Sequence, residues 1–174
     1  MLGSMVPDQF AESIYDIDLE ELRELGIKGV ITDLDNTLVE WDRIDPTPEL
    51  QKWIDDLQNE GWKITIVSNN KKKRVRTFSE PTGVSFIHSA KKPLARAFRR
   101  ATREMGLKKE EVAVVGDQIL TDVLGGNRGG YYTILVVPVS ETDGWMTKMN
   151  RRIEQRIMRK LDDRGVIGGE RSNE

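Results

Sequence analysis

The stretch Val30-Ile31-Thr32-Asp33-Leu34-Asp35-Asn36-Thr37-Leu38 constrains the fold more than any other part of this chain. Its β-branched start reads as a buried strand that runs into two aspartates one residue apart and then a turn-prone Asn-Thr pair. Side chains alternate along a strand, so Asp33 and Asp35 are expected on one face at its carboxyl end. In open α/β sheets that edge is where ligands bind. Two carboxylates this close repel, and they need a cation, a shared proton or good hydrogen bonds to persist. A hard, oxygen-seeking ion such as Mg²⁺ meets that need. The alternative is a strand that ends in a polar turn and binds nothing, so the downstream sequence has to decide.

Downstream, strands and helices alternate. Thr47-Pro48-Glu49 reads as a helix N-cap, an N1 proline and an acidic first turn, with the helix running to about Glu60. Lys63–Val67 is a second strand ending at Ser68-Asn69-Asn70. A short basic helix over 71–79 is expected to break at Pro81, and 85–87 is a third strand. Pro93 opens a helix over 93–105 that Gly106 closes. Val112–Gly116 is a fourth strand followed by Asp117-Gln118-Ile119-Leu120-Thr121-Asp122. A helix over 120–127 precedes a fifth strand, 132–137. Upstream, residues 1–27 form a leader that packs on the sheet edge, with Asp18 capping a helix over 19–25. A basic amphipathic helix is expected over 144–162, and 163–174 is a frayed tail. The pattern predicts one α/β domain over 1–174, with its core at 28–140. That core is Rossmann-like, a mostly parallel five-stranded sheet flanked by helices. At 174 residues the length suits a single core.

Composition narrows the chemistry. There is no cysteine, which excludes disulfides, zinc–thiolate sites and a thiol nucleophile. The single histidine, His88, rules out a multi-histidine metal site. No apolar run approaches the ~20 residues of a membrane span and no signal-peptide pattern opens the chain, so a cytoplasmic protein is expected. Net charge is −2, but unevenly spread. Residues 8–24 are strongly acidic, while 71–76, 91–109 and 148–160 are basic, which points to an anionic substrate or partner.

Right-handed crossovers bring the carboxyl ends of parallel strands to one edge. That gathers Asp33, Asp35, Ser68, Lys92, Asp117 and Asp122, an array suited to phosphoryl transfer. One aspartate can attack phosphorus if Mg²⁺ orients the phosphate oxygens and offsets repulsion. A second can protonate the leaving oxygen and then activate water. Lys92 and the Ser68 hydroxyl would bind the oxygens that carry charge in the transition state. Asp117 would complete a metal site, and Asp122 would orient Lys92 or a metal-bound water.

Asp33-Leu34-Asp35-Asn36-Thr37-Leu38, Ser68-Asn69-Asn70, Lys92-Pro93 and the Gly116–Asp122 stretch resemble, in order, the four motifs of the haloacid dehalogenase (HAD) superfamily phosphatases. The resemblance covers about residues 28–137. It implies Asp33 as nucleophile, Asp35 as general acid/base, Ser68, Asn69 and Lys92 as substrate-binding residues, and Asp122 in support. It also implies Mg²⁺ held by Asp33, the Asp35 main-chain carbonyl and Asp117. The intervals between motifs hold no cap domain, the open arrangement of the capless subclass III type, which suits a phosphate carried on something large. Within the superfamily the pattern looks closest to the phosphatidylglycerophosphate phosphatase group, bacterial relatives of the mitochondrial enzyme. That implies removal of the terminal phosphate from a phospholipid headgroup.

Basic surfaces bear on the partner. Arg96, Arg99, Arg100 and Arg103 line one face of the 93–105 helix, either to hold a second phosphate or as a solvated face. The C-terminal helix, with Trp145 at its head and Lys148, Arg151, Arg152 and Arg156 along it, could lie on anionic lipid or dock on the sheet or a subunit. Trp41 could line the substrate entrance, although packing is favoured. Two rivals to the lipid phosphatase are kept. One is a phosphatase of nucleic-acid ends, nucleotides or phosphoproteins, although aromatics for base stacking do not interleave with the basic 71–76 run. The other is a binding or assembly protein with little turnover.

Overall fold

The computed structural model describes residues 2–140, together with Gln155, Met158, Arg159 and Asp162. The chain forms two compact units, Met1–Glu141 and Thr142–Glu174. The four described residues of the second are helical; the rest of the 144–162 helix and the 163–174 tail lie outside the described residues. Among the described residues no helix is long and apolar enough to cross a membrane.

The first unit is one parallel sheet. Its strands are β1 (Gln9–Ala11), β2 (Gly29–Thr32), β3 (Lys63–Val67), β4 (Ser85–Ile87), β5 (Val112–Gly116) and β6 (Tyr132–Val136). They lie in the order β1-β6-β5-β2-β3-β4, every pair parallel. The sheet therefore has six strands where the sequence predicted five. The sixth comes from the leader, whose three-residue β1 is too short to show strand periodicity. It is held by tertiary bonds instead. The Asp8 carboxylate accepts from the Thr133 N–H at 2.8 Å, and Asn127 Nδ2 donates to the carbonyls of Ser4 and Val6.

Five α-helices complete the unit: α1 (Leu19–Glu24), α2 (Pro48–Asn59), α3 (Lys72–Thr82), α4 (Arg96–Glu104) and α5 (Leu124–Gly129). Thr47 caps α2 through the Leu50 N–H, and Asp18 caps α1 through the Glu21 N–H, as their side-chain chemistry predicts. Alternation splits the sheet between two cores. Val30, Ile64, Ile66, Ala113 and Val115 pack with Leu50, Ile54, Leu57, Val75 and Phe78 of α2 and α3. Ile31, Val67, Val112 and Val114 pack with Ala97, Phe98 and Ala101 of α4.

Three helix boundaries differ from expectation. α3 runs through Pro81 to Thr82, because a proline in the last turn deprives only one carbonyl of its donor and Gly83, at φ 71°, ends the helix. α4 begins at Arg96 after a turn at residues 92–95 in which the Lys92–Pro93 peptide is cis. The helix expected over 120–127 is a π-helical turn, Ile119–Val123, running into α5. Between β2 and β3 the chain holds a loop and α2, and between β3 and β4 it holds α3. The intervals 33–62 and 68–84 thus insert no cap at the carboxyl edge of the sheet.

Candidate active site

Asp33 follows β2 directly, and its N–H continues the ladder to the Val115 carbonyl at 3.0 Å. From that fixed backbone its carboxylate meets the Lys92 ammonium at 2.9 Å. Lys92 Nζ reaches Asp122 at 2.7 Å on its other side. The lysine is buried, and its main chain is gripped from both ends by one side chain. Asn69 Oδ1 accepts from the Lys92 N–H at 2.7 Å, and Asn69 Nδ2 donates to the Lys92 carbonyl at 3.3 Å. Asn69 was expected among the substrate-binding residues; its amide here positions Lys92.

Asp117 follows β5 and is buried. One of its oxygens accepts from the Thr37 hydroxyl at 3.0 Å, and the other, Oδ2, is buried without a hydrogen-bond partner. Carboxylate oxygens of Asp33, Asp117 and Asp122 lie within 4.8 Å of one another. The π-helical turn after Gln118 swings Asp122 back beneath the end of β5. A Cβ on Gly116 would sit 2.1 Å from Asp122 Oδ2, so only glycine admits this approach.

Asp35 takes different partners from Asp33. β2 ends at Thr32, and the chain turns through Asn36 at φ 62°. The Asp35 carboxylate bonds Arg74 through Nε at 3.1 Å and the terminal nitrogen at 3.0 Å, and accepts from Asn70 Nδ2 at 3.0 Å. Arg74 also donates to the carbonyls of Arg43 and Glu40, which ties the 36–46 loop to α3. Within the basic 71–76 run, Arg74 is therefore half-buried and committed to Asp35, and Arg76 pairs with Glu80. Only tertiary pairing reveals Arg74, since the lysines that precede it in the run are solvated. Ser68 is buried after β3, and its hydroxyl oxygen accepts from the Asn70 N–H at 3.0 Å. Trp41, expected to pack, is exposed on the 36–46 loop.

Three carboxylates against one ammonium leave the buried cluster with excess negative charge. Burial pulls the Lys92 ammonium down, but Asp122 and Asp33 outweigh it and hold its pKa above the ordinary lysine value. Burial, then Asp33 and Asp122, push the Asp117 carboxyl well above the usual range. Burial pushes Asp122 up to about 6, against the pull of Lys92. Both Asp122 oxygens are already engaged, by Lys92 and by the Gln118 N–H. The free Asp117 oxygen and the Asp33 carboxylate are thus the donors best placed for a cation. An all-oxygen set with surplus negative charge fits Mg²⁺.

A pH dependence follows. The raised Asp117 and Asp122 carboxyls stabilise the fold at low pH, and that contribution is lost as pH rises, for Asp122 through about 6. A divalent cation held by the deprotonated carboxylates would restore it. The rise in Tm on adding Mg²⁺ is expected to be small at pH 5 and several-fold larger at pH 7.5. Equal shifts at both pH values would show that the cation does not bind this cluster.

A parallel α/β sheet with a carboxylate cluster and a buried lysine at its carboxyl edge defines a hydrolase frame for anionic groups. The chain belongs to the haloacid dehalogenase-like hydrolases, whose family model matches residues 5–130. Among individual proteins it is 56% identical, over 93% of this chain and 94% of the other, to the "Probable phosphatase YqeG" of Bacillus subtilis. It is 26% identical to the Arabidopsis thaliana "Phosphatidylglycerophosphate phosphatase 1, chloroplastic/mitochondrial", over 93% of this chain and 49% of that longer protein. The crystal structure of a HAD phosphatase from Thermococcus onnurineus shares the fold, with TM-score 0.56 and 16% identity over 68% of this chain and 90% of that one.

Proposed function

We propose that this enzyme, a phosphoric monoester hydrolase, works through an aspartyl-phosphate on Asp33. The observation that carries the reading is Lys92, buried and bonded to Asp33 and Asp122 beside the unpartnered Asp117 oxygen. Asp33, Asp117 and the Asp35 main-chain carbonyl would hold Mg²⁺. When bound, the ion offsets charge between the phosphate and the attacking carboxylate. An Asp33 oxygen attacks phosphorus, the bond to the leaving oxygen breaks, and Asp35 delivers its proton there. For this the Asp35 carboxylate must rotate away from Arg74. Asp35 then takes a proton from water, whose oxygen displaces Asp33 and releases inorganic phosphate. Lys92 and Ser68 hold the equatorial oxygens.

The favoured substrate is phosphatidylglycerophosphate, converted to phosphatidylglycerol at the cytoplasmic face of a membrane. The name of the Arabidopsis relative supports this, and so does the mouth of the site. Trp41, Ile44, Leu94, Val137 and Val139 are exposed on segments that follow strand carboxyl ends. Lys71, Lys72 and Lys73 are exposed at the start of α3, whose Arg74 clamps the 36–46 loop. Apolar side chains rimmed by lysines suit an anionic amphiphile. Phosphate release with Mg²⁺ tests the substrate, across phosphatidylglycerophosphate micelles, a 5′-phosphorylated oligonucleotide, a phosphopeptide and sugar phosphates. A kcat/KM at least ~100-fold higher on the lipid is expected, a difference of about 2.7 kcal/mol in transition-state binding. Preference for a soluble phosphate would remove the lipid reading and leave the chemistry standing.

A further inference from the structure

A second cationic site lies at the other end of the sheet. A cavity of about 500 Å³ is lined by Arg99 and Arg103 of α4, Lys109, and Arg128 of α5, with Thr102 and Tyr131. Lys109 precedes β5, and Arg128 and Tyr131 precede β6, so the cavity opens at the amino edge of the strands. The five residues of β5 separate that edge from Asp117, roughly 16 Å at ~3.3 Å per residue.

Among the described residues none of the four cations forms a salt bridge, although neighbouring Arg100 takes Glu104 at 2.8 Å. Glu110 is one nearby acid; it and Arg99 both act on the Tyr131 phenol. Helix C-termini attract cations, which accounts for Arg103 and Arg128 in the last turns of α4 and α5. It accounts for neither Arg99, a turn earlier, nor Lys109. Lys109 is exposed, but its side chain lies against the turn that follows Arg128: a Cβ on Gly130 would lie 3.2 Å from its Nζ. The buried floor is polar, with the Thr102 and Tyr131 hydroxyls 2.9 Å apart. Thr102 donates to the Phe98 carbonyl, so Tyr131 donates to Thr102.

We propose that this cavity binds a multiply charged phosphate anion at a site separate from the active site. Four converging cations that repel one another gain most from a ligand with several negative charges. Arginine forks suit phosphate oxygens, and the volume lies in the range of small-ligand pockets. The Tyr131 ring is in the core, packed edge-on to Phe98, so recognition falls to the anionic groups.

The test uses the full chain at fixed free Mg²⁺. Calorimetric titration with methylenediphosphonate, which phosphatases cannot cleave, reports a free diphosphate ligand. Cosedimentation with vesicles containing phosphatidic acid reports a lipid headgroup. The Arg99→Gln/Arg128→Gln variant, both positions exposed, is expected to weaken one of these at least tenfold, while Asp33→Asn leaves it within twofold. Loss in the diphosphonate arm identifies a soluble ligand, and loss in the vesicle arm alone identifies a headgroup. Binding unchanged in the arginine variant, binding abolished by Asp33→Asn, or no binding in either arm overturns the proposal. Circular dichroism melts of both variants confirm that each is folded.

Discussion

Asp33→Asn is expected to lower turnover by about 10⁴-fold or more while leaving the fold intact. The amide keeps the size of the carboxylate and the ladder bond to Val115, but its oxygen is a poor nucleophile and cannot form the acyl-phosphate. Its effect on stability should run opposite to its effect on rate. Asp33 raises the pKa of both Asp117 and Asp122, so the metal-free protein carries a like-charge penalty at neutral pH that this substitution relieves. Phosphate release and thermal melts without added metal measure the two together. The expected result is no detectable turnover with a Tm equal to or above that of the parent chain. Full metal-dependent turnover would show that another group attacks phosphorus, while inactivity with a collapsed Tm would make Asp33 a structural residue.

Lys92→Met is expected to be the most destabilising single change at the site. Removing one partner of a buried ion pair costs about 3–5 kcal/mol, because the partner is left charged and dry. Here two partners are stranded, and Asp122 is as buried as Lys92 itself. In a domain of this size the loss corresponds to roughly 10 °C in Tm. Adding Asp122→Asn should recover much of that fall, since the neutral amide can stay buried with its bond from the Gln118 N–H. Turnover should not recover, because the phosphate oxygens would still lack their cation. A double variant no more stable than Lys92→Met would show that Asp122 was not the stranded charge, and turnover restored by it would remove Lys92 from the chemistry.

Exposure to local sequence explains which parts of the site could be read in advance. Asp33, Ser68 and Asp117 each sit one residue past a strand rich in β-branched residues, and a parallel sheet carries such positions to one edge. Lys92 was legible through the Lys92-Pro93 step, and it proves to be the only buried cation among the described residues. The partners were harder to see. Arg74 lies in a basic run whose neighbours are solvated, Asn69 sits in a polar turn, and Thr37 is one hydroxyl among many. Nothing local separates the arginine that holds Asp35 from the lysines beside it, because the distinction lies in a carboxylate 39 residues away.

The sequence by itself determined the alternation of strands and helices, the caps of α1 and α2, and which polar residues reach the carboxyl edge. Those properties depend on side-chain periodicity and on bonds spanning a few residues. The tertiary structure alone decided that the leader adds a sixth strand, and that Asp33 turns to Lys92 while Asp35 turns to Arg74. It also decided that one Asp117 oxygen is left without a partner, and that four cations converge at the opposite edge. Each of these outcomes depends on which groups meet in a buried or crowded place. There the cost of unpaired charge, which water would screen along an extended chain, selects the partners.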